Sequence, residues 1–127
     1  MITRHNPATI APPASAYVQG YEVADATRWL HVSGQVGARP DGTTPAGTEA
    51  QMEECWTRIF AVLESAGMRP ANIVKVSAFL TDPGDVGLYR EVRDRRLDGH
   101  EAASTLLVVS ALAHPDWTVE IEAVAAA

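Results

Sequence analysis

Two carboxylates, Glu120 and Glu122, stand two residues apart in the run Trp117-Thr118-Val119-Glu120-Ile121-Glu122-Ala123-Val124. In an extended chain this spacing puts both on one face, with Val119, Ile121 and Ala123 on the other. Such a pair is either a solvated face or the floor of a polar pocket. In the second case, partial burial raises a carboxylate's pKa and suits it to general acid–base work. Ser104 and Thr105 carry hydroxyls that become nucleophiles only beside a base. His31, His100 and His114 have no link to them in the sequence. Arg90, Arg93, Arg95 and Arg96 cluster, but Glu91, Asp94 and Asp98 interleave with them, as on a solvated helix face held by ion pairs. The four histidines, His5 in the lead-in among them, lack metal-ligand spacing. The single cysteine, Cys55, excludes an intrachain disulfide and a cysteine-based metal site.

The elements that must position these groups follow from periodicity and punctuation. Residues 1–16, with Pro7, Pro12 and Pro13, read as an extended lead-in. Strands are expected over Tyr17–Val23 and Trp29–Ser33, with Ala24–Thr27 as the turn of a hairpin. Residues 37–47 form a surface loop. A helix starts near Thr48, where Thr48-Glu49-Ala50-Gln51 fits a capping box. Its stripe is Met52, Cys55, Trp56, Ile59, Phe60, Leu63 and Ala66, and Gly67 ends it, with Pro70 beyond. Cys55 is expected as a packed thiol. Ile73–Leu80 is a strand. Asp82-Pro83 caps a second helix, whose stripe is Val86, Tyr89, Val92 or Arg93, and Leu97, and which Gly99 ends. Ser104–Val109 is apolar without alternation, as in a strand covered on both faces, and a short Pro-containing loop joins it to the strand of Glu120. The order is β-β-α-β-α-β-β, an α+β sandwich with two helices on one face of a mostly antiparallel sheet. The other face would then be apolar and uncovered, so a homo-oligomer that buries it is expected.

The chain of 127 residues reads as a single domain, residues 1–127, large enough for a hydrophobic core. No apolar run approaches the ~20 residues of a membrane span, and the N-terminus lacks the apolar segment of a secretion signal. A cytoplasmic location is the expectation. Ten basic against sixteen acidic residues give a net charge of −6. That argues against nucleic acid as a partner, which needs a basic footprint.

Taken in order, several short segments resemble the Rid family, also called YjgF or endoribonuclease L-PSP. They are Tyr17-Val18-Gln19-Gly20 after a Pro/Ala-rich entry, Val32-Ser33-Gly34-Gln35, Ala66-Gly67, Ile73-Val74-Lys75-Val76, Phe79-Leu80-Thr81-Asp82 and Val119-Glu120-Ile121-Glu122-Ala123. The resemblance implies a chorismate-mutase-like fold and a homotrimer with small-molecule clefts between subunits. It implies no metal and no organic cofactor. It also implies hydrolysis of reactive enamines and imines to keto acids and ammonia. Glu120 matches a glutamate that orients or activates the attacking water, and Tyr17 a tyrosine that closes the cleft from the neighbouring subunit. Ser33 and Gly34 match backbone groups that face the ligand, with Phe79 and Leu107 as apolar walls.

One segment departs from the family pattern. The family carries an arginine at the start of the penultimate strand, where its fork of donors grips a substrate carboxylate. Here the matching text is Ala102-Ala103-Ser104-Thr105, and either Ser104 or Thr105 occupies the arginine's place. Arg90 stands where the family often has an asparagine near the cleft, so it is a candidate to supply the cation from another wall. Three classes of function follow. They are a deaminase-like hydrolase with altered substrate preference, a non-catalytic small-molecule-binding trimer, and a ribonuclease or translation inhibitor, against which the acidic balance argues.

Overall fold

The computed structural model describes residues 1–127. Strands β1 (Ile2–His5) and β2 (Gly20–Val23) form a small antiparallel ribbon. Then come β3 (Trp29–Val36), α1 (Thr48–Ser65), β4 (Ile73–Leu80), α2 (Val86–Leu97), β5 (Ala103–Val108) and β6 (Val119–Ala126). The last four strands form one sheet in the order β3-β6-β4-β5. Both pairs involving β6 are antiparallel, and β4 with β5 is parallel. The architecture is the expected α+β sandwich with one added strand at the N-terminus.

The expected hairpin of residues 17–23 with 29–33 does not form. β2 pairs with β1, and β3 pairs with β6. The reason is competition from distant chain. Pro7, Pro12 and Pro13 lack ladder donors, so the lead-in loops back and lays residues 2–5 beside β2. Asn6 Oδ1 accepts from the Gln19 amide at 2.8 Å, and Gln19 Nε2 donates to the Ala11 carbonyl at 3.1 Å, bracing that loop. At the other end, the Thr27 and Arg28 amides donate to the Ala127 carbonyl, tying the start of β3 to the end of β6.

The helices cover one face. Met52, Cys55, Trp56, Ile59 and Leu63 of α1 are buried in one core cluster with Tyr89, Val92 and Leu97 of α2. Across from them lie Val76, Ala78 and Leu80 of β4 and Val119, Ile121 and Ala123 of β6. Full burial of each large apolar side chain here contributes about 1.5–3 kcal/mol. Gly67 takes φ 69° just past α1, as its stop signal implies, and its amide donates to the Glu64 carbonyl at 2.9 Å.

The Thr48–Gln51 capping box is not made. Gly47 is the N-cap, with φ 90°, and Thr48 is already helical. The Thr48 hydroxyl instead donates to the Thr118 hydroxyl at 3.0 Å. Gln51 is buried and bridges two loops. Its Nε2 donates to the Asp116 carbonyl at 2.9 Å, and its Oε1 accepts from the Thr118 amide at 3.0 Å. A fully hydrogen-bonded buried amide of this kind fixes the chain as it enters β6. Asp82 does cap. Its carboxylate accepts from the Gly84 amide at 2.8 Å and starts the short turn Pro83–Asp85 that leads into α2.

Candidate functional site

β6 alternates as its sequence requires. Val119, Ile121 and Ala123 enter the core, and Glu120 and Glu122 stand on the face without helices. Phe79 lies opposite Glu120 on one side and opposite Leu107 on the other, so the three form a row across β6, β4 and β5. Gly34 sits in an irregularity of β3, where the register slips between Val32 and Gln35. A Cβ at Gly34 would lie 2.9 Å from Cδ of Glu120. The absent side chain is what lets the carboxylate rest against β3. Ser33, beside it, is exposed on the same bulge.

Thr105 and Ser104 part company. Thr105 pairs with Ser77 on the uncovered face, and its hydroxyl accepts from Lys75 Nζ at 2.6 Å. Ser104 pairs with the core residue Val76 and points to the helix side. There it lines a hollow of about 170 Å³ with Ser15, Tyr17, Arg90, Arg93 and Leu106. Val18 holds the Tyr17 segment in place, because its amide donates to the Ala102 carbonyl at 3.1 Å and it bridges to Ala103.

The two arginines of that hollow differ. Arg93 is 3% exposed, its Nε donates to Asp94 Oδ1 at 2.9 Å, and its guanidinium reaches Ser15 Oγ at 3.3 Å. Arg90 is in no ion pair, and its Nε is buried without a hydrogen-bond partner. A desolvated guanidinium donor with no acceptor is costly unless a ligand meets it. Arg95 and Arg96 behave as the charge pattern implies, although their partner is Glu53 on α1 and not the acids of their own helix.

The candidate residues therefore fall into two sets on opposite faces of the sheet. Tyr17, Arg90 and Ser104 converge on the helix side. Gly34, Ser33, Glu120, Phe79, Leu107 and Thr105 share the uncovered face. Arg93 and Lys75 were not singled out from the sequence. The signal for Arg93 was its place on the α2 stripe between Tyr89 and Leu97, and for Lys75 its alternation with Val76 on β4. No histidine, aspartate or glutamate of the same chain lines the Ser104 hollow, so within one chain Ser104 has no base beside it. Burial pushes the Cys55 thiol up to about 12 and raises the Tyr89 phenol. Both are core groups and neither is a proton carrier near neutral pH.

No helix is long and apolar enough to cross a membrane. The family model described as endoribonuclease L-PSP matches residues 8–127. The chain is 31% identical over 127 residues to a 2-iminobutanoate/2-iminopropanoate deaminase of Escherichia coli, covering 97% of this chain and 93% of that one. Its fold superposes on a conserved Rid-family protein of Yersinia pestis with a TM-score of 0.89 and 27% identity, over 99% of this chain and 98% of that one. It also superposes on the YjgF gene product of E. coli with a TM-score of 0.74 and 29% identity, over 90% of each chain. The two helices on one face of a mixed, mostly antiparallel sheet are the chorismate-mutase-like fold of these proteins. On this evidence the chain belongs to the Rid (YjgF, endoribonuclease L-PSP) family.

Proposed function

We propose that this chain is an enamine/imine deaminase-like hydrolase that works as a homotrimer, with its substrate preference altered by a relocated cation. The observation that carries the reading is that Arg90 and Ser104 line one hollow while Arg90 Nε lacks a partner. Ser104 is one of the two residues, with Thr105, that match the place of the family's carboxylate-gripping arginine, and Arg90 brings a guanidinium to the Ser104 hollow from α2. The two candidate sets face away from each other in one chain. A cleft that uses both must take Tyr17, Arg90 and Ser104 from one copy and Gly34, Glu120, Phe79 and Leu107 from the next. Burial of the uncovered sheet face between copies also removes Leu107, 48% exposed here, from water.

In the reaction, the enamine tautomerises to the imine and its carboxylate accepts hydrogen bonds from Arg90. Glu120 orients a water and takes one of its protons as the oxygen adds to the imine carbon. The nitrogen is protonated, the carbinolamine collapses, the C–N bond breaks, and ammonia leaves a 2-keto acid. Holding the carboxylate and the water on facing walls converts a bimolecular step into a local one. Named deaminases among its relatives support this chemistry.

The test generates 2-aminoacrylate or 2-iminobutyrate in a coupled assay and follows release of ammonia and keto acid. Acceleration over solvent hydrolysis supports the reading. Saturable binding of the substrate's stable keto-acid product without acceleration replaces it with a non-catalytic small-molecule-binding trimer.

A further inference from the structure

The bulge in β3 that admits Glu120 is held from the helix side. Val32 pairs with Ala123 and Gln35 with Ile121, so β3 sets two residues, Ser33 and Gly34, against the single residue Glu122 of β6. The extra residue changes the alternation. Val32 and Gln35 both pair with residues that enter the core, and Ser33 and Gly34 are left exposed. In a regular strand Gln35 would point away from α1. On the helix side it meets Arg58 of α1. Arg58 Nε donates to Gln35 Oε1 at 2.8 Å, and Arg58 Nη1 donates to the Ala38 carbonyl at 2.8 Å. Gln35 Nε2 then donates to the Ser33 carbonyl at 2.9 Å, across the bulge itself. Arg58 forms no ion pair, not even with Glu54 one turn back on the helix, so its fork serves these neutral acceptors. Gly37 sets the approach of strand to helix, because a Cβ there would lie 2.8 Å from Cα of Gln51. Arg58 stands roughly two turns further along the same helix, within reach of the bulge.

A chain of hydrogen bonds thus runs from α1 through Gln35 to the Ser33 carbonyl, beside the gap at Gly34 where the Glu120 carboxylate rests. We infer that Arg58 is a positioning residue for Glu120, holding the β3 bulge in one register through Gln35 and so fixing the place of the carboxylate. The inference rests, for its effect on turnover, on the deaminase reading of Glu120. A displacement of about 1 Å at a group that orients water costs up to about 100-fold in rate. The contacts of Arg58 lie within one chain on the helix side, so burial of the other sheet face between copies leaves them in place.

Kinetics and NMR of Arg58→Met in the full-length protein test this role. In the coupled assay kcat falls about ten-fold or more, and KM stays within about two-fold because Arg90 still meets the substrate carboxylate. Arg58→Lys keeps a donor but not the fork and recovers part of the loss. Gln35→Met cuts the same chain at its middle, so it and the double variant Arg58→Met/Gln35→Met each lose about as much as Arg58→Met alone. In the NMR spectrum the Glu120 carboxyl carbon, assigned with Glu120→Gln, moves or broadens in Arg58→Met together with the Ser33 and Gly34 amides. The amides of the core residues Ala78 and Val92 keep their positions. Unchanged kcat, losses that multiply in the double variant, or a Glu120 signal that stays in place overturns the inference. So does a disturbance that spreads to Ala78 and Val92, which makes Arg58 a general prop of the fold. A parent protein with no acceleration over solvent removes the deaminase reading, and the Glu120 and bulge signals still decide what Arg58 holds.

Discussion

Arg90→Met is the perturbation that bears most directly on the proposed chemistry. The variant keeps an unbranched stem of similar length at this position of α2 and removes the fork of donors. Arg90 is half-buried, with a desolvated Nε, in a hollow of about 170 Å³. A carboxylate bound there loses a charge-assisted contact, an effect of about 1.5–3 kcal/mol, and the partial exposure of Arg90 places it near the lower bound. At about 1.4 kcal/mol per ten-fold, kcat/KM toward 2-iminobutyrate falls about ten-fold. Arg90→Lys keeps the charge but not the planar fork, so it recovers only part of the loss. Ser104→Arg placed on Arg90→Met returns a guanidinium to the same hollow from β5 and restores activity. The coupled ammonia assay reads all four proteins, and melting temperatures confirm that the fold is kept. Activity of Arg90→Met within about two-fold of the parent, smaller than one charged hydrogen bond allows, refutes the assignment. So does an equal loss toward an enamine that has no carboxylate.

Gly34→Ala drives a methyl against the end of the flexible Glu120 side chain, so the melting temperature stays nearly constant while kcat/KM falls about 10- to 100-fold. Unchanged activity there would remove Glu120 from the reaction. Cys55, buried and with its thiol near 12, resists an aromatic disulfide reagent at pH 8 until denaturant is added, and rapid labelling of the native protein would contradict its burial. For Glu53, burial raises the carboxyl pKa, but hydrogen bonds from Arg95 and Arg96 outweigh it and leave the group below its usual 4.5. A depressed folded-state pKa stabilises above the unfolded value, and that contribution is lost as pH falls below about 4.5 through the folded value. Glu53→Gln therefore flattens the acid limb of stability against pH, as denaturant titrations between neutral pH and pH 3 would show.

Local periodicity carried the parts of the fold that depend on one segment at a time. The α1 stripe, the stop at Gly67 and the in-out alternation of Val119–Ala123 are properties of 3.6- and 2-residue repeats, and each stands in the structure as read. Strand partners are a different matter. β2 accepts Ile2–His5 and β3 accepts the C-terminal strand because distant segments outcompete the local turn at Ala24–Thr27. The residues of Thr48-Glu49-Ala50-Gln51 fit a local cap, yet Gln51 is drawn to the loop before β6, where its amide satisfies buried backbone groups.

The candidate site divides along the same line. The sequence by itself determined that Glu120 and Glu122 share a face and that Ser104 and Thr105 stand beside each other at a strand start. Only the tertiary structure decided that Ser104 joins Tyr17 and Arg90 while Thr105 joins Lys75. Side chains alternate along β5, so a shift of one residue exchanges the faces, and only the pairing of Ser104 with Val76 sets that register. It likewise separated Arg93, buried against Tyr89, from Arg95 and Arg96, which reach Glu53 on another helix. Charge pattern reports which residues are ionised, whereas the depth and partner of each are set by elements far away in the chain.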